Sequence, residues 1–476
     1  MSKKAKNTAP APPPPAAAPA AASAPLATVA AKLWFQAYRV EVILCVVSFF
    51  VLASFSGQRF LRQSAAPQFI YQAKAWLEGK LDLDPEILPN IEDWACIKYR
   101  PDGSIYRCEV PPGAPSDRAD PRLFPPVGRW FSSFPWFPAV VMMPFVAVNG
   151  YQFNDTSFGV IVGALAIAIF YSLLRFLSQQ QETPRSELEN IVLAVVLGFG
   201  TVFFYCAIRG EVWFSAEIMG IAFTCLYIRN SIGARRPVWA GLFFSMATLT
   251  RTPLLFSGLF FVLEALCPGP ENRLQQLQDL AKDWKPAARK LGGFVAGAAP
   301  LGVIAAAYNK YRFGSFGEFG HRFLYFNRVN GDIDTFGLFS THYLQRNLES
   351  AFTKLPSIHW TPQFQMSYDP NGMSLLLTLP FLVFLLIPKQ KARLHWPLWL
   401  TVAVTALPGL FYQNNGYMQF GFRFSLDYTP YLLLLFAAGG WAVKNRFVLA
   451  VLAFGFLVNF WGAATFHGFT EIARLR

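Results

Sequence analysis

Clusters of Lys and Arg occupy every second gap between roughly eleven apolar stretches of helix-spanning length, an alternation that confines this chain to a multi-pass helical architecture. The intervening gaps hold aromatics, carboxylates and isolated arginines. Of 476 residues, 54% are hydrophobic, only 14% are charged and 48 are Phe, a composition too apolar for a soluble globule. In a soluble protein a net charge of +13 would point to nucleic acid; here the basic residues sit where the positive-inside rule wants them, so the charge reads as topology and contact with anionic lipid, with no nucleic-acid partner.

Taking Lys/Arg as the inner label gives an N-terminus inside the cell and two large extracytoplasmic loops, 57–156 and 308–372. Residues 1–38 are expected to form a disordered Ala/Pro-rich cytoplasmic tail, 39–461 the transmembrane unit and 462–476 a C-terminal tail. A cleaved signal peptide competes for the N-terminus, but the proline run makes a poor apolar core for one. The first spans are expected at 40–56, 157–174, 190–208 and 212–228. Residues 239–265 are too long for one span and are interrupted by Arg251-Thr252-Pro253. Two short helices with Arg251 at their outer end avoid the roughly 2.5 to 3.5 kcal/mol of an arginine at mid-bilayer. A seventh span is expected at 291–307, and four more between 373 and 461 complete the count. Within the first outer loop, 134–149 is apolar but short and proline-broken, so it is expected to dip into the bilayer without crossing.

Cys96 and Cys108 flank the turn Pro101-Asp102-Gly103, and a hairpin centred on Asp102 would set the two sulfurs opposite each other. A disulfide is therefore expected, in an oxidising compartment. The other cysteines (45, 206, 225 and 267) lie in or beside apolar spans and read as small hydrophobes.

There is no internal repeat and no soluble-enzyme motif; outer-face clusters carry the chemistry. Tyr71 to Glu86 reads as a short helix ending at Gly79, followed by an extended piece with Asp82 and Asp84 on one face. These carboxylates suit a general base or a divalent-cation site; a solvated charged edge is the alternative. Tyr308 to His321 interleaves aromatics with Arg312 and Glu318 and holds three glycines in seven residues, more than a membrane anchor needs. Gln413 to Tyr428 sets amides beside Arg423 and Asp427, whose spacing of four also allows a plain salt bridge on one helical turn. His321, His342 and His359 lack metal-ligand spacing and read as structural or interfacial.

From residue 40 onward, the order of these features resembles the GT-C superfamily of integral membrane glycosyltransferases, which use polyprenyl-phosphate sugars and include protein mannosyltransferases and aminoarabinose transferases. The resemblance lies in a first span, the outer-loop segment Gln68 to Gly79, the dipping Phe134-Pro135-Trp136-Phe137-Pro138 helix, the Ala240 to Pro253 element and the Tyr308 to Gly320 stretch. It implies an all-α multi-pass fold with about eleven transmembrane helices, juxtamembrane helices and a small β-hairpin. The implied activity is transfer of a sugar from a polyprenyl-phosphate donor to a lipid, glycan or protein acceptor at the outer face of the inner membrane. Arg251, Arg312 and Arg423 would bind the donor phosphate; Asp82, Asp84 or Glu318 would act as the catalytic carboxylate; Tyr308, Asn309, His321, Gln419 and Asp427 would contact substrate. A divalent metal such as Mg or Mn is left open. The family's usual acid soon after the first span is missing, since that region reads Ser64-Ala65-Ala66-Pro67-Gln68. A noncatalytic binding partner of the same fold is therefore an alternative, and a lipid-linked sugar flippase is a separate one.

Overall fold

The computed structural model describes residues 26–89, 93–109, 127–269, 273–325, 330–360, 364–416 and 418–466. Residues 1–25 and 467–476, which hold most of the two expected tails, lie outside the described residues. Helix already begins at Leu26 and runs to Ser56, interrupted at Tyr38 by a non-helical conformation.

Among the described residues, five helices are long and apolar enough to cross a membrane: Gln36–Leu61, Asp155–Gln179, Val212–Ala234, Lys285–Phe313 and Arg446–Thr465. The other six stretches expected to span coincide with shorter or broken helices, so the count of eleven is not reached by helix length. The breaks have local causes. Glu187–Phe199 starts on a Ser186/Glu189 capping box, stops at Gly200 and resumes as Phe203–Ala207. Leu375–Thr378 and Leu382–Leu386 flank Pro380, which has no amide hydrogen to carry a helix through. The expected division at Arg251 is observed: Pro237–Thr248 and Gly258–Leu266 are joined by the 3-10 turn Thr252–Ser257, with Pro253 in its first turn.

Small residues let these helices approach closely. A Cβ on Gly241 would lie 1.9 Å from the Phe294 carbonyl, and one on Gly297 would lie 2.0 Å from that of Val238, so Pro237–Thr248 and Lys285–Phe313 cross backbone to backbone.

Ion pairs tie the helices together at both ends. At one end Arg393 holds Glu182 and Glu264 (both 2.7 Å), Glu264 accepts the Gly233 amide (2.7 Å), and Lys290 reaches the Gly233 carbonyl (3.3 Å). Helix Lys285–Phe313 runs from this basic rim to the opposite end, where Phe313 stacks on Phe323 and meets Phe131 edge-on.

At that opposite end lie the two large loops. Helix Gln68–Leu77 ends as expected: Gly79 takes a left-handed φ of 76°, and the Lys80 amide returns to the Ala75 carbonyl (2.9 Å). Helix Phe137–Asn149, with Pro144 inside, packs beside it. Strands β1 (Trp94–Tyr99), β2 (Ile105–Arg107) and β3 (Arg129–Ser132) form an antiparallel sheet in the order β2-β1-β3. The β1–β2 turn follows the sequence reading. Gly103 takes a φ of 81°, the Asp102 carboxylate accepts the Ser104 amide (2.9 Å), and the register Ile97↔Arg107 brings Cys96 opposite Cys108, joined as a disulfide. A side chain at Gly128 would collide with both sulfurs, at 2.6 and 2.8 Å. In the second loop, helix Leu344–Phe352 is followed by the hairpin of β4 (Ser357–Trp360) and β5 (Phe364–Ser367).

Candidate functional site

A cavity of about 460 Å³ opens among the elements at the end away from the basic rim. Four separate segments build its polar floor: the helix Val212–Ser231, the Arg251 break, the turn at 317–324 and the stretch 412–427. One wall is apolar, with Phe256, Leu338, Phe339 and Pro408; Phe134 and Trp213 line it as well.

The floor is an ion network. Arg251 grips Asp427 with two parallel bonds, Nε to Oδ1 (2.8 Å) and Nη2 to Oδ2 (2.7 Å), the fork geometry that favours a guanidinium over an ammonium. Arg423 donates to Glu217 (2.9 Å), and Arg251 reaches the same carboxylate oxygen at 3.4 Å. Glu217 is fully buried, and its second oxygen accepts the Cys206 thiol at 3.4 Å. Two arginines thus share two carboxylates, a neutral quartet in a poorly solvated site. Both guanidiniums lie over the ring of Phe424.

Two further carboxylates line the cavity from the outer loops. Glu318 accepts the Gly320 amide (2.9 Å), and its other oxygen is 3.7 Å from Arg322. Asp93, next to β1 and in a left-handed conformation (φ 76°) that Asp tolerates better than most residues, accepts the Trp213 indole (3.0 Å). His321 sits between the rings of Phe134 and Tyr412, and burial pushes its pKa down to about 4, leaving a neutral imidazole at neutral pH.

Arg251, Arg423, Glu318, His321 and Asp427, all singled out from the sequence, therefore meet in one cavity. The remaining candidates lie elsewhere. Asp82 pairs with Arg129 (3.1 Å), and Asp84 caps the turn Pro85–Ile87 by accepting the Glu86 amide (3.0 Å); both line a separate small cavity with Tyr71, Glu78 and Tyr151. Arg312 is fully buried, donates to the Ser132 carbonyl (2.9 Å) and Asn309 (2.7 Å), and lies over Tyr308. Asn309 also donates to the Phe316 carbonyl (3.2 Å), and Tyr308 approaches the Leu81 carbonyl (3.4 Å). Arg312 thereby ties the end of Lys285–Phe313 to β3, while Asn309 and Tyr308 hold the neighbouring loops. Gln419 braces the loop beneath Arg423: its amide donates to the Asn371 (2.8 Å) and Asn415 (2.6 Å) carbonyls, and its oxygen accepts the Arg423 amide (3.1 Å). His342 is exposed and stacks on Phe336, whereas His359 lies in β4.

Two carboxylates of the site escaped the sequence reading: Asp93 in the cavity wall, and Glu217, buried behind the lining where it pairs with Arg423. Glu217 had a signal, a lone carboxylate inside an apolar span, which demands a partner. Asp93 had none beyond its place before a strand. The local Arg423–Asp427 pair is also replaced. The segment Arg423–Asp427 is a 3-10 turn, so at three residues per turn the two side chains diverge and each finds a distant partner.

Among the described residues no group of three or more His, Cys, Asp or Glu side chains is arranged to hold a metal ion. No protein-family model and no curated protein matches the chain. Among solved structures, the chain is similar to the apo oligosaccharyltransferase of Archaeoglobus fulgidus, at 13% identity and a TM-score of 0.41 over 91% of this chain; the match spans 55% of that protein's length.

Proposed function

We propose that this chain is a membrane glycosyltransferase of GT-C type, moving a sugar from a polyprenyl-phosphate donor to a lipid, glycan or protein acceptor at the outer face of the inner membrane. The observation that carries the reading is the convergence of Arg251 and Arg423 on one cavity that has both an apolar wall and two loop carboxylates. In this reading the short and broken helices complete a set of eleven spans, and the basic rim faces the cytosol.

The chemistry follows from the layout. The donor's prenyl chain lies along Phe256, Leu338, Phe339 and Pro408, which brings its phosphate to the floor. An acceptor hydroxyl attacks the anomeric carbon from the face opposite the phosphate; the bond between that carbon and the phosphate oxygen breaks, and polyprenyl phosphate leaves with the electron pair. The charge that grows on the leaving oxygen is met by Arg251 and Arg423, already oriented by Asp427 and Glu217 and so needing little reorganisation. The acceptor's proton passes to Asp93 or Glu318, the two carboxylates outside the quartet.

The test is incubation of purified protein with a radiolabelled polyprenyl-phosphate sugar. Transfer or hydrolysis supports the reading, with the catalytic carboxylate identified by the variant, Asp93→Asn or Glu318→Gln, that stops turnover while donor still binds. Movement of the donor across a vesicle bilayer without bond cleavage would favour the flippase, and binding alone the noncatalytic partner. Normal transfer by both variants would remove the proposed base.

A further inference from the structure

The outer cavity leaves unexplained a second one, also of about 460 Å³, at the basic end of the molecule. It lies between the first helix and the helices Asp155–Gln179 and Glu187–Phe199, and Gln36, Arg39, Arg175, Gln179, Arg185 and Glu187 line it. The break in the first helix makes room for it. At Tyr38 the backbone leaves helical geometry (φ −118°, ψ 17°), and Arg175 takes the Ala37 carbonyl (3.0 Å) while pairing with Glu41 (2.8 Å).

The three arginines differ in what they have left to offer. Arg175 is committed to the break, and Arg185 to the carbonyls of Phe436 (2.7 Å), Ala437 (2.9 Å) and Trp441 and to Glu189 (3.3 Å). Arg39 is exposed and has no hydrogen-bond or ion-pair partner among the described residues. Gln36 and Gln179 are also exposed at the cavity wall. The acid lining it, Glu187, already faces the Tyr171 hydroxyl at 3.4 Å.

Arg39 also heads a stripe. Ile43, Val46, Val47 and Phe50 follow it at four, seven, eight and eleven residues, on one helix face, and are 54%, 49%, 55% and 64% exposed. An available guanidinium flanked by amides, set directly above a strip of exposed apolar side chains, has the order of a phospholipid: phosphate, polar headgroup, acyl chain.

We infer that this second cavity binds the headgroup of an anionic glycerophospholipid, with Arg39 on the phosphate, Gln36 and Gln179 on headgroup hydroxyls and an acyl chain along Ile43 to Phe50. Basic cavities between helices at the inner membrane surface suit such headgroups. The stripe argues for a lipid over free phosphate, which would have no use for it. The site is independent of the transfer proposed above and lies at the other end of the molecule.

Native mass spectrometry of the delipidated full-length chain tests this, by titration with phosphatidylglycerol, with phosphatidylcholine, and with phosphatidylglycerol in the presence of inorganic phosphate. One phosphatidylglycerol should be retained in preference to phosphatidylcholine, and inorganic phosphate should not displace it. Arg39→Gln should weaken retention roughly fivefold, as expected for loss of one interfacial cation, and Arg39→Lys should recover most of it. Because Arg39 is exposed and has no partner among the described residues, lipid-free Arg39→Gln should melt like the parent. Equal retention of both lipids, unchanged retention by Arg39→Gln, or displacement by inorganic phosphate would each overturn the assignment.

Discussion

Glu217 is a fully buried acid that compensates two arginines at once, from inside an apolar helix. Removing one partner of such a network leaves charge without compensation, which typically costs about 3 to 5 kcal/mol. Glu217→Ala should therefore lower the thermal midpoint clearly, whereas Glu217→Ala combined with Arg423→Met should cost less than the two single changes added together. Additive losses would mean that the pair is not coupled. His321 gives a pH prediction whose sign is fixed by burial. Its folded pKa of about 4 lies below the roughly 6.5 of an unfolded histidine. The unfolded chain then takes up the proton first, so this residue's contribution is intact above about pH 6.5 and is lost as the pH falls toward 4. Melting temperatures measured from pH 7 to pH 5 should fall less steeply for His321→Gln than for the parent.

At the scale of elements, the β1–β2–β3 sheet joins the two loops. Its disulfide closes a separation of 12 residues, β1 follows directly on Asp93, and Ala95 bridges to Leu324 beside the turn that carries Glu318 and His321. Replacing both Cys96 and Cys108 by Ser should cost about 3 kcal/mol by the chain-entropy account, read as a lower midpoint in thermal unfolding. Gly241→Val should be worse, since its side chain would have to enter the space of the Phe294 backbone; loss of folded protein in size-exclusion chromatography is the expected outcome. The sequence revealed the hairpin because an Asp-Gly turn and two flanking cysteines are local signals. It also located the Arg251 break, where proline and charge coincide. The interval of four between Arg423 and Asp427 left a local salt bridge open that the structure does not form, because spacing alone does not distinguish an α-helical turn from a 3-10 one.

Over the whole molecule, the Arg393–Glu264 ion pair stands at one end and both large loops at the other. Arg251, the 317–321 end of the Tyr308 stretch and the Gln413 to Asp427 stretch meet in one cavity; the Asp82 segment does not, because Arg129 and the cap at Pro85 hold it on a different surface. Helix lengths were the less legible part, since a run of apolar residues does not show where Gly200 or Pro380 will interrupt it. Single cysteines at exposed positions, Lys80 or Lys282 for example, should react with a membrane-impermeant maleimide from opposite sides of sealed vesicles, and labelling from the same side would reverse one loop. The central claim is that the cavity floored by Arg251, Arg423 and Asp427 receives a polyprenyl-phosphate sugar, and photocrosslinking with a donor carrying a diazirine in its prenyl chain tests it most directly. The account predicts adducts on Phe256 and the Leu338–Phe339 segment that unlabelled donor suppresses and Arg251→Ala diminishes. Adducts confined to the Asp82 surface, or undiminished by excess unlabelled donor, would contradict it.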